Sequence, residues 1–359
     1  MQVGILSYPM LFQRKGGLQV QILETIRALR SLGVEARLVG PNMEPLSNFD
    51  VIHVFSAING NYRIVETARS QGRPVVLSPL IRPSWTRWTG RKAAFLASTI
   101  KRLSSWQIHT SYCQIASALT NADKIVALGE TEKSSIEAAF CVRSEKIVVI
   151  PNGISKRFFD AAPQRFLEQY DVKEGFVLNV AAINSHKNQA AIIQALKDDD
   201  YPIILIGECL KEDLDYLAKL KTDRNVCYLG PLAYDDPVLS AAFAAAGVFV
   251  LPSHDEVMPL AVMEALAAGT PVVMTNRHSM RIEDSPRVIR EVDPEDVEAI
   301  RKSILHFLKN PPTPAACKSV VEEYSWDHVA KMLLETYEQV LREEQVLREH
   351  RKLQEFALT

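Results

Sequence analysis

Short runs rich in valine and isoleucine alternate with amphipathic stretches along most of the chain. In its first part the runs are VGILS, EARLVG, DVIHVFS, RPVVLSP, DKIVAL and KIVVIP. Apolar runs separated by helical patterns predict parallel strands joined by crossover helices, hence one α/β domain. Pro151-Asn152-Gly153 is a turn signal, and a polar stretch from Asp160 to Gly175 follows it. The pattern then restarts with FVLNVAA, YPIILIG, NVCYLG, GVFVLP and TPVVMT, which predicts a second α/β domain. From Trp326 onward, Val329, Met332, Leu333, Tyr337, Val340 and Leu341 recur at helical spacing, so a helix with one packed face is expected. Beyond Arg342 the charge density allows either a solvated helix or a frayed tail. No repeat at solenoid periods is present.

Composition narrows the class of molecule. A chain of 359 residues, 47% hydrophobic and 23% charged, is long enough for two cores. A net charge of −2 gives no overall attraction to nucleic acid, and none is expected as a partner. Five cysteines, an odd number without a CxxC pair, read as reduced thiols. The start MQVGILSYPM lacks the basic and apolar segments of a secretory signal, and the apolar stretch from Val238 to Leu251 is too short to span a bilayer. The expectation is a cytoplasmic protein, peripheral at the inner face of a membrane if it meets one.

The densest chemical signal is the phrase Ser253-His254-Asp255-Glu256-Val257-Met258-Pro259-Leu260-Ala261-Val262-Met263-Glu264, followed by ALAAGTPVVMT. Its grammar is strand, loop, a helix opening at proline, Gly269 as helix stop, and a further strand. Glu256 is therefore expected just before a helix start. Free N–H groups and the positive dipole end make such a start a seat for a diphosphate, with the amides of Val257, Met258 and Leu260 as candidates. Glu264 lies about one turn further on, where a carboxylate can accept from two vicinal hydroxyls. The site would sit at the carboxyl end of a parallel sheet. The bland alternative for these two residues is a helix-entry carboxylate and a surface glutamate.

Those residues resemble the retaining glycosyltransferases of family 4, whose Glu-x7-Glu signature is matched by Glu256 and Glu264 in spacing and surroundings. The resemblance runs over nearly the whole chain. Gly16-Gly17 resembles the family's glycine pair, Pro151-Asn152-Gly153-Ile154 its phrase at the domain junction, and Lys187-Asn188-Gln189 the segment whose lysine neutralises donor phosphates. Ile206-Gly207-Glu208 and Gly230-Pro231-Leu232 resemble its strand-end phrases near the nucleotide base, and Tyr324-Ser325-Trp326 the start of its C-terminal helix. The resemblance implies the GT-B fold: two Rossmann-like domains with parallel sheets facing a central cleft. Residues 1–155 form the acceptor side, residues 156–325 bind the donor nucleotide, and the helix 326–359 packs back on the first domain.

It also implies a nucleotide-diphosphate sugar as donor, a glycan or lipid-linked glycan as acceptor, and no metal cofactor. Glu256 and Lys187 take the catalytic roles. Donor contacts fall to Gly16, Gly17, Asn152, Gly207, Glu208, Leu232, His254, Val257, Met258, Leu260 and Glu264. His53, Ser78 and Arg82 are placed on the acceptor side. Two positions depart from the family: Ala182 stands where a second phosphate-binding arginine is usual, and Ser78-Pro79 where a strand-end histidine is usual. A non-catalytic relative that binds a partner or a glycan, and a nucleotide-sugar epimerase, are the alternatives. A dinucleotide oxidoreductase is disfavoured, since no GxGxxG follows the first strand.

One feature is independent of that resemblance. From Thr67 to Ala122 there is no acidic residue, yet Arg69, Arg73, Arg82, Arg87, Arg91, Lys92, Lys101 and Arg102 all occur, interleaved with Trp85, Trp88, Phe95 and Trp106. The mixture suits an anionic membrane surface or a lipid-linked acceptor through residues 82–106, an anionic glycan or nucleic acid, or a plain solvated helix face over core tryptophans.

Overall fold

The computed structural model describes residues 1–13, 16–40, 44–82, 85–103, 110–280 and 285–357. Trp106 and His109 lie outside the described residues. The chain divides into two compact units, one of Met1–Arg14, Gln21–Pro151 and Trp326–Thr359, the other of Lys15–Val20 and Asn152–Ser325.

All six apolar runs of the first part are strands: β1 Gln2–Leu6, β2 Glu35–Leu38, β3 Val51–Phe55, β4 Val75–Ser78, β5 Lys124–Ala127 and β6 Ile147–Val149. They form one parallel sheet in the order β2-β1-β3-β4-β5-β6. Helices cover both faces, which is why β3 and β4 are buried along their whole length and read as unbroken apolar runs rather than alternating ones. The helix Trp326–Ala357 belongs to this unit, with Tyr337 and Val340 fully buried. It continues well past Arg342. There Glu344 is buried and accepts from Arg348, whose guanidinium also donates to the carbonyl of Gly72. The charge-dense stretch is therefore helix rather than frayed tail.

The second unit holds β7 Phe176–Val180, β8 Ile203–Ile206, β9 Val226–Gly230, β10 Ala246–Leu251, β11 Val272–Thr275 and β12 Ile289–Val292. Its sheet, also parallel, runs β12-β11-β10-β7-β8-β9. β12 is absent from the sequence-based expectation. It is an edge strand with sequence IREV, and its polar middle hides it from a search for apolar runs.

Each sheet has one place where successive crossovers leave in opposite directions, between β1 and β3 in the first and between β7 and β10 in the second. In open parallel sheets the loops at the carboxyl ends of such strands part and leave a crevice for a ligand.

Candidate functional site

In the second unit the two loops that part at this point carry the residues of the Glu256 phrase and of the Lys187 segment. After β7 the chain turns through Ser185–Lys187, where Asn184 caps the turn by accepting the N–H of Lys187 at 3.0 Å. Asn188 follows in the left-handed conformation, at φ 56°. Its side-chain amide donates to the carbonyls of Pro252 (3.1 Å) and Pro294 (2.9 Å), tying this turn to the segments after β10 and β12. Gln189, fully buried, donates to Asn179 Oδ1 and the Ala182 carbonyl, and Asn179 in turn donates to Val250 of β10. Asn184 thus bonds the Lys187 backbone directly, while the Asn188 and Gln189 amides anchor the residues that follow it.

The loop after β10 is held as firmly. The N–H of His254 donates to His186 O, that of Glu256 to Arg277 O, and that of Ser279 to Val257 O, all at 2.8 to 2.9 Å. Lys187 Nζ then meets Glu256 Oε1 at 2.5 Å, with the two side chains 24% and 11% exposed. This partly buried pair is charge-assisted and strong in geometry. His186 Nε2 lies 3.7 Å from Asp255, and His254 Nδ1 3.1 Å from Glu295. Lys187, Glu256 and His254 thus come together as neighbours at the open end of the sheet.

Beside them starts the helix Leu260–Ala268, with Pro259 at its N-cap and no side chain capping its first amides. Val262 N–H bonds to Pro259 O, while the helix ends on Gly269 in the left-handed conformation. An added Cβ at Gly269 would stand 2.7 Å from Pro314, so glycine is required there twice over. Glu264 is in the second turn of this otherwise apolar helix and is 5% exposed. Asn152 reaches the same place: its amide donates to the Met258 carbonyl and its backbone N–H approaches Met258 Sδ at 3.2 Å. Asn152 Oδ1 is buried and has no hydrogen-bond partner, an acceptor left open next to the helix start.

The glycines behave differently from one another. Gly16 and Gly17 are exposed and have ordinary φ; an added Cβ at Gly16 meets nothing within 4 Å, and one at Gly17 meets only Leu260 at 3.9 Å. Nothing in the protein itself demands glycine at these two positions, so a demand would come from a bound group. Gly207 is the reverse case: at φ 155° its Cβ would lie 1.8 Å from the Ala181 carbonyl oxygen, so packing of the loops after β7 and β8 alone requires glycine. Glu208 and Leu232 are half-buried in the loops that follow β8 and β9.

In the first unit, His53 and Ser78 are brought together, but away from solvent. His53 is fully enclosed, with Nδ1 2.7 Å from Tyr337 Oη and Nε2 2.9 Å from Ser78 Oγ. Burial pushes its pKa down to about 3, so the ring is neutral and donates through one nitrogen while accepting through the other. These two of the three residues expected on the acceptor side are therefore bonded to protein partners. The burial that makes DVIHVF and VVLS read as strands is also what encloses them. Arg82 is exposed in the loop that precedes the helix Arg87–Leu103.

Sequence reading passed over Asn184, Asn188 and Gln189 as working residues. An asparagine three residues before the lysine and another just after it are the pattern of a cap followed by a left-handed residue. That signal was available.

Comparison with known proteins bears on what this arrangement does. Residues 161–324 match the family model of glycosyl transferases group 1. The match covers most of the second unit. The chain is 27% identical to O-antigen chain mannosyltransferase B of Escherichia coli, over 61% of this chain and 61% of that relative's length. It is 25% identical to the phosphatidyl-myo-inositol mannosyltransferase of Mycobacterium leprae, over 95% of this chain and 97% of the relative. Among solved structures it is similar to Anabaena Alr3699/HepE in complex with UDP, with a TM-score of 0.72 and 16% identity, over 94% of this chain and all of that one. The two parallel six-stranded sheets with flanking helices are the GT-B fold.

Among the described residues no helix is long and apolar enough to cross a membrane, and no group of three or more His, Cys, Asp or Glu residues is arranged to hold a metal ion.

Proposed function

We propose that this chain is a retaining glycosyltransferase of family 4, transferring a sugar from a nucleoside-diphosphate sugar to a glycan or lipid-linked glycan in the assembly of cell-surface polysaccharide or glycoconjugate. The observation that carries this reading is the Lys187–Glu256 pair, held between the two parting loops of the β7/β10 switch point and beside an uncapped helix start. The match of this unit to glycosyl transferases group 1, and relatives named as mannosyltransferases, support it.

In this reading the donor's diphosphate lies against the first amides of the helix Leu260–Ala268, with Lys187 turned from Glu256 toward the phosphate oxygens. Glu256, so released, accepts from the sugar hydroxyls and orients the ring, and Glu264 accepts from the ribose. Gly16 and Gly17 let backbone approach the diphosphate where any side chain would intrude. The bond from the anomeric carbon to the phosphate oxygen breaks with its electron pair leaving on the phosphate. The acceptor hydroxyl oxygen bonds to the same face of that carbon, and its proton passes to the departing phosphate. The protein's contribution is position and charge stabilisation, without a nucleophile of its own and without a metal ion.

The test is turnover of a nucleotide-sugar panel, including guanosine- and uridine-diphosphate sugars, with lipid-linked glycan acceptors, and NMR of the product. The expected result is acceptor-dependent nucleotide release with retained anomeric configuration. Inversion would reject the retaining mechanism, and conversion of the donor without acceptor would identify an epimerase. A second reading, a donor-binding relative without transfer activity, is favoured by Ala182, which stands where a second phosphate-binding arginine is usual in the family. Donor binding with no turnover across the panel is its signature.

A further inference from the structure

The helix Arg87–Leu103 packs on the first unit with the wrong side for an ordinary surface helix. Its inward face is made of small residues: Gly90 and Ala97 are buried, and Ala93 and Ala94 are half-buried. A Cβ at Gly90 would stand 2.4 Å from the carbonyl oxygen of Ala139, so the helix lies directly against the backbone of the helix Glu130–Phe140. The large apolar residues point the other way. Trp88 is 65% exposed, Phe95 76% and Leu96 59%, and at helical spacing they share one face with Arg91 and Lys92. A helix stabilised by burial alone would turn these residues inward.

The charge on this face has one sign. Residues 67–122 contain no aspartate or glutamate, and Arg87, Arg91 and Lys92 are exposed on the helix itself. Lys92 Nζ sits over the Trp88 ring, 4.6 Å from its centre, so cation and aromatic share this face. An exposed aromatic and aliphatic crest flanked by cations is complementary to a surface that is apolar below and anionic above. A nucleic acid or an anionic glycan would satisfy the cations but would leave Phe95 and Leu96 in water.

We infer that this helix face docks the protein on a bilayer that contains anionic lipid, with Trp88, Phe95 and Leu96 entering the interface and Arg87, Arg91 and Lys92 meeting the headgroups. The inference stands on the exposure and charge of this face and does not depend on the transferase reading.

Flotation of the full chain with vesicles of phosphatidylcholine alone, or with one-third phosphatidylglycerol, tests it. The wild-type protein is expected to float with the anionic vesicles at low salt and to be released as salt rises. The double variant Trp88→Ser/Phe95→Ser is expected to reduce the bound fraction by about tenfold, with an unchanged melting temperature because both side chains are exposed. The triple variant Arg87→Gln/Arg91→Gln/Lys92→Gln should abolish the preference for anionic over neutral vesicles. A blue shift of tryptophan emission on vesicles, lost in Trp88→Phe, would place the indole in the interface. Absence of flotation at low salt, or flotation of the double variant at wild-type level, would overturn the inference. So would a lipid-free dimer that the double variant converts to monomer, or oligonucleotide binding lost in the same variants without vesicle binding.

Discussion

In the middle of β3 and at the end of β4 the first unit encloses His53 and Ser78 with Tyr337, every polar atom of the imidazole matched by a neighbour. Glu132, equally buried, accepts the backbone N–H groups of Ile81 and Leu128 there. At the carboxyl ends of β7 and β10 the second unit instead leaves a partly exposed ion pair, a helix start without a side-chain cap and the open acceptor of Asn152. Both sheets are parallel and six-stranded, with a switch point each. Polar satisfaction separates the two regions: a closed network stiffens the fold, while an incomplete one waits for a ligand.

The largest effect that would sharpen this contrast is on catalysis. Lys187→Gln keeps a hydrogen-bond donor beside Glu256 and removes the charge, and it is expected to lower kcat/KM by about 10²–10³. Steady-state kinetics with a competent donor and acceptor pair would show it, and an effect below about threefold would detach Lys187 from the diphosphate.

Next comes stability in the closed region. His53→Ala leaves Tyr337 Oη and Ser78 Oγ enclosed with a lost partner and is expected to cost about 2–4 kcal/mol in denaturant unfolding. The pH dependence has two opposed parts. His53 has a folded pKa of about 3 against an ordinary 6.5, so it favours the neutral ring, and its contribution is present above pH 6.5 and lost as pH falls toward 3. Glu132 is raised by burial to about 7 from 4.5, so the fold favours its protonated form and its contribution declines as pH rises from 4.5 to 7. Each slope is at most about 1.4 kcal/mol per pH unit. Between pH 4.5 and 6.5 they offset each other in the wild-type protein. Glu132→Gln is therefore expected to uncover a steeper acid loss in that window, read from unfolding free energies across pH. An unchanged slope would remove Glu132 from the account.

A smaller effect separates the two kinds of glycine. Gly16→Ala meets open space and is expected to leave the melting temperature unchanged while weakening donor binding by roughly tenfold, about 1.4 kcal/mol. Gly207→Ala meets the Ala181 carbonyl and is expected to destabilise the second unit itself. Equal thermal losses in both variants would erase the distinction. The smallest expected effect is none: activity that persists in excess chelator agrees with charge stabilisation by Lys187 and helix amides, and loss restored by a divalent ion would reject it.

Most of the architecture was legible in the chain because buried parallel strands read as continuous apolar runs. That is why eleven strand segments are visible in the sequence and the polar edge strand β12 is not. The Glu256 phrase was legible for another reason: strand, loop and helix signals follow one another within it, which fixes its place at a sheet end. Side-chain satisfaction was not legible. His53 and Ser78 are 25 residues apart and Tyr337 is 284 residues from His53, and only the fold reveals that they complete one another. Nor does helical spacing alone say which face of the helix Arg87–Leu103 turns inward; the close approach at Gly90 decides that.

The central claim is that the open end of the second sheet seats a nucleoside diphosphate. Calorimetric titration of uridine and guanosine diphosphates into the wild-type chain, Lys187→Gln and Gly16→Ala tests it most directly. The account predicts saturable binding of at least one of them to the wild-type protein, weakened about tenfold or more in both variants. Absence of binding by either nucleotide, or equal affinity in all three proteins, would contradict it.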